Sequence, residues 1–402
     1  MVVPQEWRSD GVEATLGADA VHVVELSVRR AGDVNRHAYR DARALRRLID
    51  EHAPDVVDIQ EEPVSMAARQ WLAALPRHAP VVMYTAQNID KRYPPPFFAY
   101  ERSAHERVAA FYPCSLQAAA VLRGKGFRGA IEVLPLGYDD AVFVPGVQTL
   151  DADEVVLMLA GRLIPEKGVE DAVRVLARVR AVRPSRLVVS GRGSEERPAR
   201  RLAASLGVAD SVDFRGWQSG PELALNYKAA HVLLVPSRPS TVAEQFGRVI
   251  VEAQASGAVV AGYACGAIAE VAGDAAIVVP VGDVESLGES VSRLVVDPDE
   301  FARRRDAGRR QVATRTWRSV AERQLWLYQR VLEEPPSKLD LPASARRCRE
   351  IAGAEFGPTA WTPSGMRPFA IPLLRTGGPL PRALGKVIDT AAELSSRWRL
   401  RR

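Results

Sequence analysis

Residues 154–193 read EVVLMLAGRLIPEKGVEDAVRVLARVRAVRPSRLVVSGRG. The run from Val155 to Ala160 is apolar at every position, which suits a short strand covered on both faces in a parallel sheet. Gly161 ends it, VEDAVRVLARVRAV spaces its apolar residues as a helix does, and SRLVVSG repeats the strand. Strand, glycine, helix, strand is a βαβ unit. The alternation then runs on through helix PARRLAASLG, strand SVDFRG, a helix around 221–230, strand HVLLVPS, helix 247–256, strand AVVAGYA, helix GAIAEVA, strand AIVVP, and helices from Val284 to about Glu333. This order predicts a doubly wound parallel sheet with its functional loops at the strands' carboxyl ends.

Upstream, Ala20 to Ile89 alternates VHVVELSV, the helix-like HAYRDARALRRLIDEHA, DVVDIQ, a second helix and PVVMYTA. A helix around 101–110, strand AAFYPCS, a helix to Gly124 and strand IEVLPLG continue it. The stretch AVFVPGVQTLDADE, polar and Pro-containing, interrupts the grammar and reads as a linker. The expectation is an α/β chain with two Rossmann-like doubly wound domains, 1–144 and 145–334, facing each other across a cleft, and a Pro/Gly-rich tail at 335–402.

The 402 residues are 47% apolar and 26% charged, too apolar for a largely disordered chain. Cys114, Cys265 and Cys348 are isolated, with neither a CxxC nor a Cys/His metal spacing, so a reducing, cytoplasmic setting is expected and no disulfide framework or zinc site. The six histidines likewise show no ligand spacing. No run of about 18 apolar residues is present to span a bilayer. Residues 335–402 hold 12 Lys/Arg against 5 Asp/Glu, more than the net charge of +5, and the rest of the chain is near neutral with 42 against 44. An excess confined to a tail argues against specific nucleic-acid recognition and leaves peripheral membrane contact through the tail open.

Three segments carry candidate chemistry. In GRLIPEKG (161–168), Gly161 at a strand end allows a ligand to approach the backbone, and Arg162 and Lys167 suit a diphosphate. In SGRGSE (190–195), Gly191 and Gly193 form a second loop of the same kind. In EQFGRVIVEA (244–253), the first helical turn presents backbone N–H groups near Phe246 and Gly247 to an anion, the loop carboxylate Glu244 can accept from sugar hydroxyls, and a buried Glu252 needs a partner such as a ribose diol. The upstream strand ends carry Glu61, Glu62, Gln87 and Asn88.

Together GRLIPEKG, SGRGSE and EQFGRVIVEAQASG, followed by CGAIAEV and IVVPVGD, resemble the donor-domain motifs of glycosyltransferase family 4, in family order over residues 154–330. The resemblance implies a GT-B fold and a retaining, metal-independent transfer of a sugar from a nucleotide-sugar donor to a small-molecule or cell-envelope acceptor. No cofactor is implied, since the nucleotide sugar is a substrate. It assigns Arg162 and Lys167 to the diphosphate and leaving group, Glu244 to the transferred sugar, Glu252 to the ribose, and the stretch around Arg215 to the base. QEEPVS (60–65) and YTAQNIDKRYPPPF (84–97) resemble one acceptor-domain subgroup, with Gln87 and Asn88 near the place of a histidine often found there. MVVPQEW corresponds to the second strand of such a domain, so the first β–α unit is expected to be lacking. A nucleotide-sugar epimerase of the same fold and a catalytically impaired partner subunit remain as alternative readings.

Overall fold

Six short strands, most of them rich in Val, Leu and Ala, form one parallel sheet in the computed structural model, which describes residues 1–9, 12–13, 22–239 and 243–333. Across the sheet the strands follow the order Val212–Gly216, Ser185–Ser190, Val155–Ala160, Val232–Val235, Val259–Tyr263, Ile277–Val279. The four inner strands are almost wholly buried, whereas the edge strand Val212–Gly216 alternates partly buried and exposed residues. Helices Val169–Arg180, Glu196–Ser205, Gly220–Ala229, Arg248–Ser256 and Val284–Leu294 connect or cover them. Val169–Arg180 turns seven of its residues inward, with Asp171 among them.

The chain packs as two units. Among the described residues, those of 1–112, 120–132 and 328–333 make the first, and those of 113–119 and 133–327 the second, which holds the six-stranded sheet. The proposed tail, 335–402, lies outside the described residues.

In the first unit the four parallel strands Val57–Ile59, Val81–Thr85, Ala110–Pro113 and Ala130–Ile131 stand side by side in chain order. Here the sequence reading needs correction. VHVVELSV does not join that sheet: its Val24–Leu26 pairs in parallel with Val2–Pro4, while Val28–Arg29 turns back against Ala38–Tyr39, so the expected helix starts only at Ala42. Between the Val2–Pro4 ladder and Val57–Ile59 lies a cavity of about 650 Å³ lined by Val24, Ile49, Val57 and Trp71. Asp41 caps the Ala42–His52 helix by accepting from the Arg43 N–H, which explains why the helix cannot start earlier.

Candidate functional site

In the second unit, chain order and spatial order reverse between Val155–Ala160 and Val232–Val235. The connections from these adjacent strands lead away to opposite sides, which leaves a crevice at their carboxyl ends. The two loops that open there are 161–168 and 236–247, of which 240–242 are outside the described residues.

These loops bring Lys167 and Glu244 together. Lys167 closes a short 3-10 turn, Pro165–Lys167, and its Nζ donates to Glu244 Oε2 at 2.5 Å, with the two side chains 26% and 14% exposed. Ser237 Oγ reaches the same carboxylate oxygen at 3.3 Å. A largely covered pair of this kind is only weakly screened, so each charge fixes the other's position.

Behind the pair is a network that no sequence motif announced. Asp171, 3% exposed, accepts from Arg238 at 2.9 and 2.6 Å and from the Tyr263 hydroxyl at 2.9 Å through one oxygen, and from Arg174 at 3.0 Å through the other. The Arg238 N–H donates to the Glu166 carbonyl at 2.8 Å, tying the second loop to the residue before Lys167. Burial, then the Asp171 charge, pushes the Tyr263 phenol up, so it donates to that carboxylate as a neutral hydroxyl. An acid in the first turn of a helix is common enough for dipole reasons that Asp171 gave no signal by position.

Gly191 and Gly193 are explained by backbone packing. A Cβ on Gly191 would sit 1.8 Å from the Gly161 carbonyl oxygen, and one on Gly193 2.2 Å from that of Leu163. The loops are laced by Gly161 N–H to Ser190 O and Leu163 N–H to Arg192 O, both 2.9 Å. Gly161 itself would place a Cβ in open space, and Arg162 beside it is exposed. Arg215, on the edge strand, is held by Asp213 at 2.7 Å and by Asn226, whose side chain also bonds Gln218 and Ser190. The Arg192 guanidinium lies against Gly216 at the end of that strand, 3.4 Å from where a Cβ would stand.

Phe246 is buried, and Gly247, in the left-handed region at φ 79°, is the cap of the Arg248–Ser256 helix. Glu252 is 6% exposed, and its partner is Arg248 one turn back, Nε to Oε1 at 3.1 Å. Burial raises its carboxyl above the usual range, with Arg248 opposing.

The four candidates of the first unit divide into two kinds. Glu62 is partly buried and committed to backbone and side-chain partners: it accepts from Thr85 Oγ1 at 2.6 Å and the Ala86 N–H at 2.8 Å, and burial pushes its carboxyl up. It therefore anchors the loop after Val81–Thr85. Gln87 is spent on the Ile89 carbonyl at 2.5 Å and the Tyr93 hydroxyl at 3.1 Å, and Asn88 is buried. Glu61, by contrast, is 20% exposed and holds His37, whose Nε2 lies 2.8 Å from Glu61 Oε1 and whose Nδ1 lies 3.1 Å from the Asp33 carbonyl. Both ring nitrogens face acceptors, an arrangement that favours the imidazolium. Burial alone would lower its pKa, but the Glu61 hydrogen bond and charge, with the Asp33 and Val34 backbone, hold it above the ordinary value. A raised folded-state pKa means that His37's contribution to stability is full below about pH 6.5 and disappears as pH rises through the folded value. Denaturant midpoints of wild type and His37→Gln should accordingly converge as pH rises above about 6.5; a gap that stays constant would show that the ring is neutral throughout.

Among the described residues no group of three His, Cys, Asp or Glu side chains converges as a metal site, and no helix is long and apolar enough to cross a membrane.

Two family profiles match the chain: one described as "Glycosyltransferase Family 4" over residues 3–142 and one as "Glycosyl transferases group 1" over 144–311. The D-inositol 3-phosphate glycosyltransferase of Stackebrandtia nassauensis is 35% identical over 217 residues, 49% of this chain and 48% of that protein. The MMP alpha-(1->4)-mannosyltransferase of Mycolicibacterium hassiacum is 32% identical over 206 residues, 50% and 49% of the two. The chain thus spans about half the length of the curated relatives it matches. Among solved structures, sucrose-phosphate synthase from Thermosynechococcus elongatus superposes with a TM-score of 0.61 at 21% identity, covering 77% of this chain and 83% of that one. Anabaena Alr3699/HepE in complex with UDP superposes at 0.60 and 17%, covering 72% and 81%.

Proposed function

Because the chain belongs to the family 4 glycosyltransferases, whose solved neighbours have the GT-B fold, we propose that it moves a sugar from a nucleoside-diphosphate sugar, of the UDP or GDP type, to a hydroxyl of a small-molecule or cell-envelope acceptor, with retention at the anomeric carbon. The observation that carries this reading is the convergence of Lys167 and Glu244 where the strand order reverses. UDP binding by the Anabaena protein supports a nucleotide donor.

In this reading Lys167 spends one of its three N–H groups on Glu244 and offers the others, with Arg162, to the diphosphate. Glu244, fixed by that bond, accepts from hydroxyls of the transferred sugar. Glu252 takes the ribose, and the Arg192 guanidinium against Gly216 supplies a planar surface for the base. As the bond between the anomeric carbon and the phosphate oxygen breaks, negative charge grows on that oxygen and the two cations stabilise it. The acceptor oxygen bonds to the same face of the anomeric carbon, and its proton passes to the departing phosphate. No enzymic nucleophile or metal is needed for that sequence.

A thermal-shift panel of UDP, GDP, ADP and dTDP tests it. At about a hundred times Kd, one of them should raise Tm by roughly 5–10 °C, and Lys167→Ala should abolish the rise. Failure of every nucleotide to shift Tm would overturn the donor assignment. An isomerised sugar formed from the UDP-sugar alone would indicate an epimerase instead.

A further inference from the structure

The first unit contains a pocket of about 560 Å³ that the donor reading leaves without a role. Arg29, Arg30, Arg36 and Arg40 line it, and no carboxylate is among its lining residues. Its floor is apolar: Met66 and Tyr100 pack on the buried cluster of Val64, Tyr93 and Phe97. Three chain segments build it, the Val28–Tyr39 hairpin and the first residues of helices Met66–Ala74 and Phe97–Arg107. Both helices begin after the carboxyl ends of parallel strands, so their positive dipole ends add to the arginines' field.

Two local features resist a purely structural account. Arg36 uses Nε and Nη2 on Asp33, at 2.7 and 2.6 Å, but its Nη1 is buried and has no hydrogen-bond partner. A guanidinium N–H removed from water and left unmatched is unfavourable, so Arg36 is held beside this pocket at a cost. Arg30 sits in the left-handed region at φ 56°, which a long side chain rarely adopts. Glycine would be the easy choice at such a turn, so an arginine held there points to use of its charge. Arg29 and Arg30 are exposed, and Arg40 is tethered by Nε to the Val28 carbonyl at 3.1 Å.

We propose that this pocket binds the phosphate group of the acceptor, so that the sugar is delivered to a hydroxyl compound bearing a phosphate ester. Guanidinium forks match phosphate oxygens two at a time, and the apolar floor suits the carbon skeleton next to the ester. This deepens the glycosyltransferase reading and rests on it for the word acceptor, while phosphate binding itself does not.

The experiment uses the full chain with inorganic phosphate, glycerol 3-phosphate and vesicles of phosphatidylglycerol as probes, and UDP as an independent reporter of the second unit. Phosphate and glycerol 3-phosphate should each raise Tm, and Arg30→Gly should weaken both by at least about tenfold while Tm without ligand stays level or rises, because glycine relieves the backbone. Arg29→Ala/Arg30→Ala should do the same, with the UDP response unchanged. Vesicle binding that exceeds the soluble esters, lost in the same variants, would assign the phosphate to a lipid headgroup. The proposal fails if wild type responds to UDP but to none of the phosphate probes, or if Arg30→Gly binds them as wild type does. A phosphate response without a UDP response would remove the donor reading and leave this pocket standing.

Discussion

Glu244→Gln is expected to lower kcat/KM for release of the nucleoside diphosphate by about 10²–10³-fold, with most of the fall in kcat. The change keeps size and acceptor capacity but removes the charge that holds Lys167 Nζ at 2.5 Å. Lys167 is then free to wander over the crevice, and a cation that must be reoriented as leaving-group charge develops stabilises it far less than one already in place. Donor hydrolysis, with water as acceptor, gives a readout that does not depend on which acceptor is the natural one. Nucleotide binding should survive better than turnover, since the diphosphate itself supplies Lys167 with a partner. Kinetics within threefold of wild type, under a nucleotide-induced shift that is also preserved, would mean that the pair is an ordinary surface bridge.

How far the sequence alone discloses the fold differs between the two units for a physical reason. The second unit announces itself because its inner strands are short, mostly apolar runs, with glycine directly after Ala160 and Ser190, and the helices Val169–Arg180 and Glu196–Ser205 between them are strongly amphipathic. In the first unit the strands are two to five residues long, and which strand a short run pairs with is decided by tertiary packing. Val24–Leu26 has the residues of a sheet strand yet finds Val2–Pro4 and not Val57–Ile59. The site shows the same division. Spacing marks Lys167 and Glu244 as chemically suitable, but their meeting across 77 residues of sequence needs the strand order. Glu61 and Glu62 are neighbours with equal claims on paper, both partly buried, and only their partners separate them: Glu62 holds Thr85 and the Ala86 N–H, while Glu61 holds His37. Asp171 and the pocket arginines escape a reading of the sequence because an acid early in a helix and a cluster of arginines are both ordinary on solvated surfaces.

Gly191→Ala should be among the most damaging single-methyl changes in the second unit, and its contrast with Gly161→Ala separates packing from binding. At position 191 the added Cβ would lie 1.8 Å from the Gly161 carbonyl oxygen, and that oxygen belongs to backbone laced by the Gly161 N–H to Ser190 and the Leu163 N–H to Arg192. Neither loop can yield without breaking those bonds, so the substitution combines overpacking with lost hydrogen bonds. A cost of about 3 kcal/mol follows, a drop in Tm of roughly 6–12 °C. The loop carrying Arg162 and Lys167 moves with Gly161, so the nucleotide-induced shift should vanish as well. At Gly161 a Cβ meets nothing within 4 Å, and only the backbone at φ 135° resists it. There the loss of stability should be smaller, about 1–2 kcal/mol, while nucleotide affinity falls at least tenfold, because the methyl enters the space a phosphate would approach. Equal stability losses in the two variants, or full nucleotide binding by Gly161→Ala, would place the donor phosphates away from the end of the Val155–Ala160 strand.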